Sequence, residues 1–221
     1  MYKLHDFNVR GLGEPIRLMF KYSRVEFDDI RYPCTSIDSK LPPEIKEKCP
    51  WGDVPMLEIC QDGKETRKLA QSLAIGRYIA NKCGLRGSNE FESAVCDEYV
   101  DACADLFEAL FELYTETEPE KLKLIEEKVL ETVRGKYLSK FENILQENKR
   151  QNGVCCLVGG KFSWADIYLV HRIDDAKISH GLDFTRDKHG EKYLELVALY
   201  ESFYAIPRIQ EWVKHRPVTK F

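Results

Sequence analysis

The feature that most constrains this chain is a change of pattern at Gly84. Before it, short segments with strand-like alternation are separated by helical segments, whereas after it only helical periodicity remains. Alternating strands and helices build a sheet covered by helices, and a run of helices packs as a bundle. We therefore predict an α/β domain over residues 1–84 and an all-α domain over residues 90–221, with a linker between them.

The first part of the chain has the pattern of a βαβ unit. Lys3 to Phe7 is a predicted strand, and a helix begins at Glu14 with Pro15 in its first turn. Val25 to Tyr32 is a second predicted strand. A strand, a helix and a strand within about thirty residues imply a parallel pair with a right-handed crossover. A short helix is predicted at Glu44 to Lys48.

The stretch from Gly52 to Tyr78 completes the first domain. Met56 to Ile59 and a segment ending at Leu69 are predicted strands, and Asp62-Gly63 between them is typical of a hairpin turn. A helix follows. The order β-α-β-α-β-β-α describes a small mixed sheet with helices, thioredoxin-like in outline.

Two features of this stretch are candidates for ligand contacts. A proline entering a strand, as Pro55 does, must lie at an edge, a first position or a bend. A cis bond there would expose the backbone N–H and C=O of Val54 to a peptide-like ligand. Gln71-Ser72 precedes an apolar helix, where backbone N–H groups and a hydroxyl favour an anion. The alternative is that Ser72 only caps its helix.

After Gly84, five segments carry apolar residues at steps of three and four. Ser163-x-x-Asp166 precedes one of them as a capping box, with Asp in place of the usual Glu. The predicted helices are Glu90 to Tyr114, Pro119 to about Asn152, Trp164 to Lys177, Glu191 to Tyr204 and Pro207 to His215.

Composition excludes several classes of protein. The 221 residues carry a net charge of −4, from 33 basic and 37 acidic residues without a basic block, so nucleic acid is not an expected partner. No apolar run approaches the ~18 residues of a membrane span, and we expect no membrane partner. The polar N-terminus does not resemble a signal peptide. We therefore expect a cytoplasmic protein.

The eight cysteines and five histidines show no metal or catalytic pattern. No Cys-x-x-Cys pair and no His pair at zinc spacing occurs, so we predict free thiols in a reducing cytosol and no metal. Adjacent Cys155-Cys156 could be redox-active. His5 is expected to be structural, because alternation points it away from Asp6.

One helix carries an acidic stripe. Its carboxylates recur at steps of three and four, which is typical of a solvated face. The functional alternative is that one carboxylate, exposed at a subunit boundary, meets a cationic group. The residues are Asp97, Asp101, Asp105, Glu108 and Glu112.

A set of ordered motifs spans the chain. They are Tyr2-Lys3-Leu4, Phe7-Asn8-x-Arg10-Gly11, Glu14-x-Ile16-Arg17, Val54-Pro55-Met56-Leu57-Glu58, Gln71-Ser72-Leu73-Ala74-Ile75-x-Arg77-Tyr78, Ser163-Trp164-Ala165-Asp166 and Arg216-Pro217. Together they resemble the cytosolic glutathione transferases, most closely the sigma class and its flatworm 28-kilodalton relatives. The resemblance implies a thioredoxin-like N-terminal domain that holds glutathione, an all-α C-terminal domain that shapes a site for a hydrophobic electrophile, and a homodimer.

The resemblance also implies roles for single residues. Gln71 and Ser72 would hold the γ-glutamyl carboxylate of glutathione at the start of a helix. The backbone of Val54, ahead of a cis Pro55, would pair with the cysteinyl segment.

At the other end of glutathione, the resemblance assigns Lys46 to the glycyl carboxylate. Trp51, Gly52 and Asp53 would line that side. Asp105 of the partner subunit would meet the γ-glutamyl amino group. This amino group would then be the cation that one carboxylate of the acidic stripe is expected to meet.

The chain departs from the family pattern at the position that matters most for chemistry. Where the family has the tyrosine that hydrogen-bonds the glutathione sulfur, this chain has Asp6. An ionised carboxylate donates no hydrogen bond, and ~4 Å from a thiolate it would repel it by about 4 kcal/mol at an effective dielectric of ~20. A protonated Asp6 could donate, over a restricted pH range. Asp6 is thus the candidate catalytic position, with altered thiol activation.

Three hypotheses follow from these features. The first is an enzyme that conjugates glutathione to hydrophobic electrophiles in detoxification. The second is a non-catalytic glutathione-binding or structural homologue, as the transferase-like lens crystallins are. The third is a prostaglandin D synthase-like isomerase, although those proteins have an arginine in place of Leu12 and a tryptophan near the position of Pro42.

Overall fold

The structure is a computed structural model that describes residues 1–36, 38–60, 65–186 and 191–219. The chain divides into two compact units, Met1–Gly84 with Pro207–Phe221, and Leu85–Ile206. The first contains a small mixed sheet with helices and the second is helical, so the predicted fold class is confirmed.

The first unit is built on a sheet whose described strands have the order β2-β1-β3-β4. The strands are β1 (Tyr2–Phe7), β2 (Phe27–Tyr32), β3 (Met56–Ile59) and β4 (Arg67–Ala70). β1 runs parallel to β2, as the βαβ pattern predicts, and antiparallel to β3, which is antiparallel to β4. The predicted hairpin turn at Asp62-Gly63 lies outside the described residues.

Helices of the first unit bury the apolar side chains of this sheet. They are α1 (Glu14–Ser23) and α3 (Ser72–Lys82), which pack against each other, whereas the short α2 (Pro43–Lys46) has no buried residue. Every residue of α1 from Glu14 to Phe20 is buried. A second cluster, formed by Leu41, Cys49 and Met56, packs against Phe7 and Val54.

The C-terminal segment groups with the first unit, whereas the predicted second domain extended to residue 221. Helix α9 (Pro207–His215) packs against α1. The Trp212 indole Nε1 donates to Glu14 Oε1 at 2.8 Å, and Arg216 donates to the same oxygen at 3.0 Å. These contacts join residues far apart in sequence, so helical periodicity alone could not show which unit α9 joins.

The second unit is organised around a buried central helix. Its helices are α4 (Glu90–Thr115), α5 (Pro119–Thr132), α6 (Ser139–Asn152), α7 (Trp164–His180) and α8 (Leu194–Tyr204). All residues of α7 from Trp164 to Ala176 are buried, and α7 packs against α4 and α8. The predicted capping box is present, with the Ser163 N–H donating to Asp166 Oδ2 at 2.7 Å.

The long helix predicted from Pro119 contains a π-helical segment, Val133–Leu138, between α5 and α6. A π turn leaves the ordinary i→i−4 hydrogen-bond pattern, so a carbonyl can be freed. Here the Arg134 carbonyl accepts hydrogen bonds from the hydroxyls of Ser139 at 2.8 Å and Tyr193 at 3.1 Å. Among the described residues, none of these helices is both long and apolar enough to cross a membrane.

Candidate functional site

A cavity of about 290 Å³ lies in the first unit beside the end of β1 and the loop after α2. Lys46, Gly52 and Asp53, three of the predicted site residues, are brought together in its wall. The full lining is Phe7, Asp38, Ser39, Lys40, Leu41, Lys46, Gly52 and Asp53. Two lysines, two aspartates and an aromatic residue therefore line this cavity.

Gly52 shapes this wall through its missing side chain. Its φ is +70°, a conformation that other residues adopt only with strain. A Cβ on Gly52 would also lie 3.3 Å from Cε of Lys46. The bare backbone therefore lets the aliphatic part of Lys46 lie along the loop, while its exposed ammonium supplies positive charge to the cavity.

The Val54-Pro55 peptide bond is cis, as the resemblance predicts. The Val54 N–H donates to Oδ1 of Asp53 at 2.8 Å, so the cavity residue Asp53 also holds the backbone of Val54. Val54 packs on the apolar cluster described above, which anchors the loop. Trp51 is outside the cavity lining, and 75% of its surface is exposed.

Gln71 and Ser72 lie across the sheet ladder from this loop. The register pairs Ala70 of β4 with Met56 of β3, so Gln71 follows directly opposite Pro55. Gln71 has φ of +72°, which is uncommon for a residue other than glycine and recurs at ligand clamps. Gln71 occupies the N-cap position of α3 and Ser72 is the first helical residue. The N-cap residue is therefore Gln71. The alternative, in which Ser72 caps the helix, would place the cap one residue later.

Asp6 lies on the face of β1 opposite Phe7 and does not line the cavity. It is only 4% exposed. One carboxylate oxygen accepts a hydrogen bond from the Phe7 N–H at 2.8 Å, and the other accepts one from Arg17 at 3.2 Å. Both oxygens of the predicted catalytic residue are therefore engaged inside the unit.

Arg17 is completely buried and is shared by three carboxylates. Its guanidinium lies 3.2 Å from Asp6, 3.5 Å from Glu14 and 3.0 Å from Asp29. Asp29 has a second cation in Arg31 at 2.8 Å. Glu14 likewise has Arg216 as a second cation.

Within the described residues, Asp6 has Arg17 alone as its ion-pair partner. Burial raises the pKa of Asp6 to about 6, against the opposing effect of Arg17 and of the Phe7 N–H. Arg31 also favours the charged form of Asp6 and Asp29 disfavours it, but the cost of removing the carboxylate from water is the largest of these effects and sets the direction.

Asp105 belongs to the second unit, where it is exposed on α4. It lies in the wall of a different cavity, of about 210 Å³, together with Lys136 and Tyr137 of the π-helical segment. The Tyr137 hydroxyl donates to Asp105 Oδ2 at 3.5 Å, and Lys136 donates to that hydroxyl at 2.8 Å. Of the other stripe residues, Asp97 pairs with Arg86 at 2.9 Å.

Other titratable groups singled out in the sequence have local partners. The His5 ring Nδ1 is 2.7 Å from the Tyr32 hydroxyl, and its Nε2 is 3.6 Å from Glu58. Burial raises the pKa of Cys155 to about 12 and that of Cys156 to about 11, so neither thiol readily forms the reactive thiolate. The described residues contain no group of three or more potential metal ligands.

Five lining residues were not among the site residues predicted from the sequence, namely Phe7 and the four residues from Asp38 to Leu41. For Phe7 the signal was available, because strand alternation places it opposite Asp6 and beside the loop. The segment before α2 has no regular periodicity, so only the folded backbone shows that it closes the cavity.

Comparisons with known proteins cover the whole chain. A profile described as "Glutathione S-transferase, N-terminal domain" matches residues 2–81, and one described as "Glutathione S-transferase, C-terminal domain" matches residues 104–216. A glutathione S-transferase of Anopheles gambiae is 32% identical over 223 residues, which are 99% of this chain and 98% of the relative.

Two further similar proteins carry another name. Hematopoietic prostaglandin D synthase of Gallus gallus is 33% identical over 218 residues, 99% of this chain and 98% of that protein. The solved structure of prostaglandin synthase D of Nilaparvata lugens superposes with a TM-score of 0.79 at 34% identity, covering 99% of this chain and 100% of that one. With both domain profiles and full-length relatives in agreement, the chain belongs to the glutathione S-transferase family of enzymes.

Proposed function

We propose that this protein binds glutathione in the cavity of the first unit and conjugates it to hydrophobic electrophiles, as a sigma-class, flatworm-like transferase with atypical thiol activation. The observation that carries the proposal is the convergence of Lys46, Gly52 and Asp53 on one cavity, with the start of α3 across the ladder from Pro55. Glutathione is a co-substrate, and the proposal requires no metal.

The proposed pose runs along the loop from α2 to β3. The glycyl carboxylate meets the Lys46 ammonium, with Trp51, Gly52 and Asp53 on that side. The cysteinyl backbone pairs with Val54, whose N–H exchanges its hydrogen bond to Asp53 Oδ1 for one to glutathione.

At the far end, Gln71 and Ser72 hold the γ-glutamyl carboxylate at the N-terminus of α3, where the helix dipole favours negative charge. Charge-assisted hydrogen bonds of this kind are worth about 1.5–3 kcal/mol each.

In the reaction, the glutathione thiolate attacks the electrophilic carbon and forms a C–S bond, while the leaving group departs with the displaced electron pair. The thiol proton goes to solvent or buffer. Asp6 offers the sulfur no hydrogen bond because its oxygens are held by the Phe7 N–H and by Arg17. We therefore expect a thiol pKa closer to that of free glutathione than a tyrosine would produce, and slower conjugation at neutral pH.

The helical unit supplies the electrophile site in this proposal, and the active form is a homodimer. Asp105 of the partner subunit meets the γ-glutamyl amino group. The eight cysteines are free, which supports a cytoplasmic setting.

The test combines binding with turnover. Calorimetry measures glutathione affinity, and conjugation of chlorodinitrobenzene is followed across pH for the wild type and Ser72→Ala. We expect Ser72→Ala to weaken glutathione binding about tenfold or more, since it removes a hydrogen bond to a carboxylate. Ser202→Ala, at an exposed serine of α8, is the control and should bind normally. Absence of glutathione binding by the wild type would refute the proposal.

A second candidate function is prostaglandin D synthesis, favoured by the two similar proteins that carry that name. Leu12 and Pro42 stand against it. Incubation with a prostaglandin endoperoxide and glutathione, followed by analysis of the products, decides the matter. Formation of prostaglandin D above the uncatalysed level would support this second function.

A further inference from the structure

The carboxylate of Asp6 fits a space that only glycine leaves open. A Cβ built on Gly13 would lie 2.0 Å from Asp6 Oδ2, 3.0 Å from its carboxyl carbon and 3.2 Å from Arg17 Nη1, so the Asp6 oxygen is by far the closest obstacle. Real Cβ atoms do not approach neighbours so closely, and Gly13 itself has φ of −85° and ψ of −19°, which any residue adopts. The absence of a side chain at residue 13 is therefore needed for the Asp6 carboxylate and not for the local backbone.

Asp6 is connected to the turn between β1 and α1 through Arg17. Besides its carboxylate partners, Arg17 donates to the backbone carbonyls of Val9 at 3.0 Å and Arg10 at 3.4 Å. The carboxylate of Asp6 thus helps to orient a guanidinium that holds the turn. Its other oxygen holds the N–H of Phe7, whose side chain lines the cavity.

We propose that Asp6 is a positioning residue, paired with Gly13, which braces Phe7 and the β1–α1 turn at the edge of the glutathione cavity and makes no contact with the reacting sulfur. The part of this inference that concerns glutathione rests on the proposed function. The pairing of Asp6 with Gly13 stands on geometry alone and has its own test.

A double-mutant cycle tests the pairing. Gly13→Ala in the wild type forces the Asp6 carboxylate away from Arg17, and we expect the Tm to fall by about 5 °C or more. In the Asp6→Ala background the 2.0 Å obstacle is gone and, of the three atoms nearest the new Cβ, only Arg17 Nη1 remains, at 3.2 Å, a distance that a small shift of the guanidinium relieves. Gly13→Ala should therefore change the Tm by no more than about 2 °C there, with the restriction of the unfolded chain by alanine acting in its favour.

The matched control for the cycle is Gly160→Ala, where a new Cβ would meet nothing within 4 Å. It should have the same small effect in both backgrounds. Equal Tm losses from Gly13→Ala with Asp6 and with Ala at residue 6 would overturn the pairing. Should Gly13→Ala alone fail to fold, a folded double variant with a near-normal Tm supports the pairing and an unfolded one overturns it.

The positioning role is tested by the KM for glutathione and by the pH dependence of the rate. Asp6→Asn keeps an oxygen for the Phe7 N–H, so its KM for glutathione should stay within about twofold of wild type, whereas Asp6→Ala should raise KM about fivefold. The midpoint of the pH–rate profile should be the same in wild type and Asp6→Asn. A profile displaced by a full pH unit in Asp6→Asn would show that Asp6 acts on the sulfur and would overturn the inference.

These readouts distinguish the inference from the proposed function. If the wild type binds no glutathione, the proposed function fails together with the KM prediction, while the Tm cycle still decides the pairing of Asp6 with Gly13. If glutathione binds normally but Asp6→Ala leaves KM unchanged, the proposed function stands and the positioning role is refuted.

Discussion

The two faces of β1 differ in how they use charge. On the Phe7 face, Lys46 and Asp53 are exposed around an open cavity. On the Asp6 face, charged side chains are buried and neutralise one another around Arg17. Charges in the cavity remain available to a ligand, whereas those around Arg17 are already committed to the fold. Substitutions of charged residues on the first face should therefore act mainly on binding. Those on the second face should act mainly on stability and reach binding only indirectly, through Phe7 and the β1–α1 turn.

The largest expected effect is that of Arg17→Met. It leaves the buried carboxylates of Asp6 and Glu14 and the partly buried carboxylate of Asp29 without their shared cation, so we expect the free energy of unfolding to fall by about 3–5 kcal/mol. Urea denaturation followed by circular dichroism measures it. The control Arg150→Met removes an exposed ion pair with Glu147 and should change stability by less than about 1 kcal/mol. If Arg17→Met also lowered the stability by less than about 1 kcal/mol, the distinction between the two faces of β1 would not hold.

Asp6→Asn should change how stability depends on pH. Since the pKa of Asp6 rises from 3.8 to about 6 on folding, the folded state holds this proton more strongly than the unfolded chain. The resulting stabilisation is full below about pH 4 and is lost as pH rises through 6. The difference corresponds to about 3 kcal/mol at most.

Asp6→Asn lacks this titration, so its stability relative to wild type should increase between pH 4 and pH 7. The groups facing Asp6 are Arg17, Arg31 and Asp29, which remain in place. Urea midpoints at several pH values give the comparison, and Asp101→Asn on the exposed face of α4 should follow the wild type. Parallel curves for wild type and Asp6→Asn would contradict the assignment of this titration to Asp6.

On the cavity face, Lys46→Met should weaken glutathione binding about tenfold or more, equivalent to about 1.5 kcal/mol, with little change in Tm. The reason is the loss of a cation opposite the glycyl carboxylate. Calorimetry measures the affinity. Lys48→Met, two residues along and outside the cavity lining, is the control and should bind as the wild type does.

The smallest expected effect is that of Gly52→Ala. Because φ at this residue is +70°, alanine should cost about 1 kcal/mol of stability. Gly153→Ala, at φ of +73° with nothing within 4 Å, should have a similar effect on stability. Only Gly52→Ala displaces Lys46, so only it should also weaken glutathione binding, by about threefold. If Gly52→Ala and Gly153→Ala bind glutathione equally well, Gly52 does not contribute to the glutathione site.

Much of the fold was predictable because its signals are local. Strand alternation, the Pro15 helix start and the Ser163–Asp166 capping box each depend on residues a few positions apart, and the structure confirms them. The family resemblance carried by the ordered motifs assigned Lys46, Gly52 and Asp53 to one end of a ligand, and the structure places these three residues in the wall of one cavity.

What the sequence by itself determined is the order of elements, the two-part architecture and the family. Tertiary structure alone decided that α9 joins the first unit and that Asp38 to Leu41 close the cavity. It also decided what surrounds Asp6. Alternation shows which face a side chain occupies, but its charge state depends on burial and on groups brought close from distant positions. Arg17, Asp29 and Gly13 come close to Asp6 only in the folded chain, and they place this predicted catalytic residue in a buried ion-pair network.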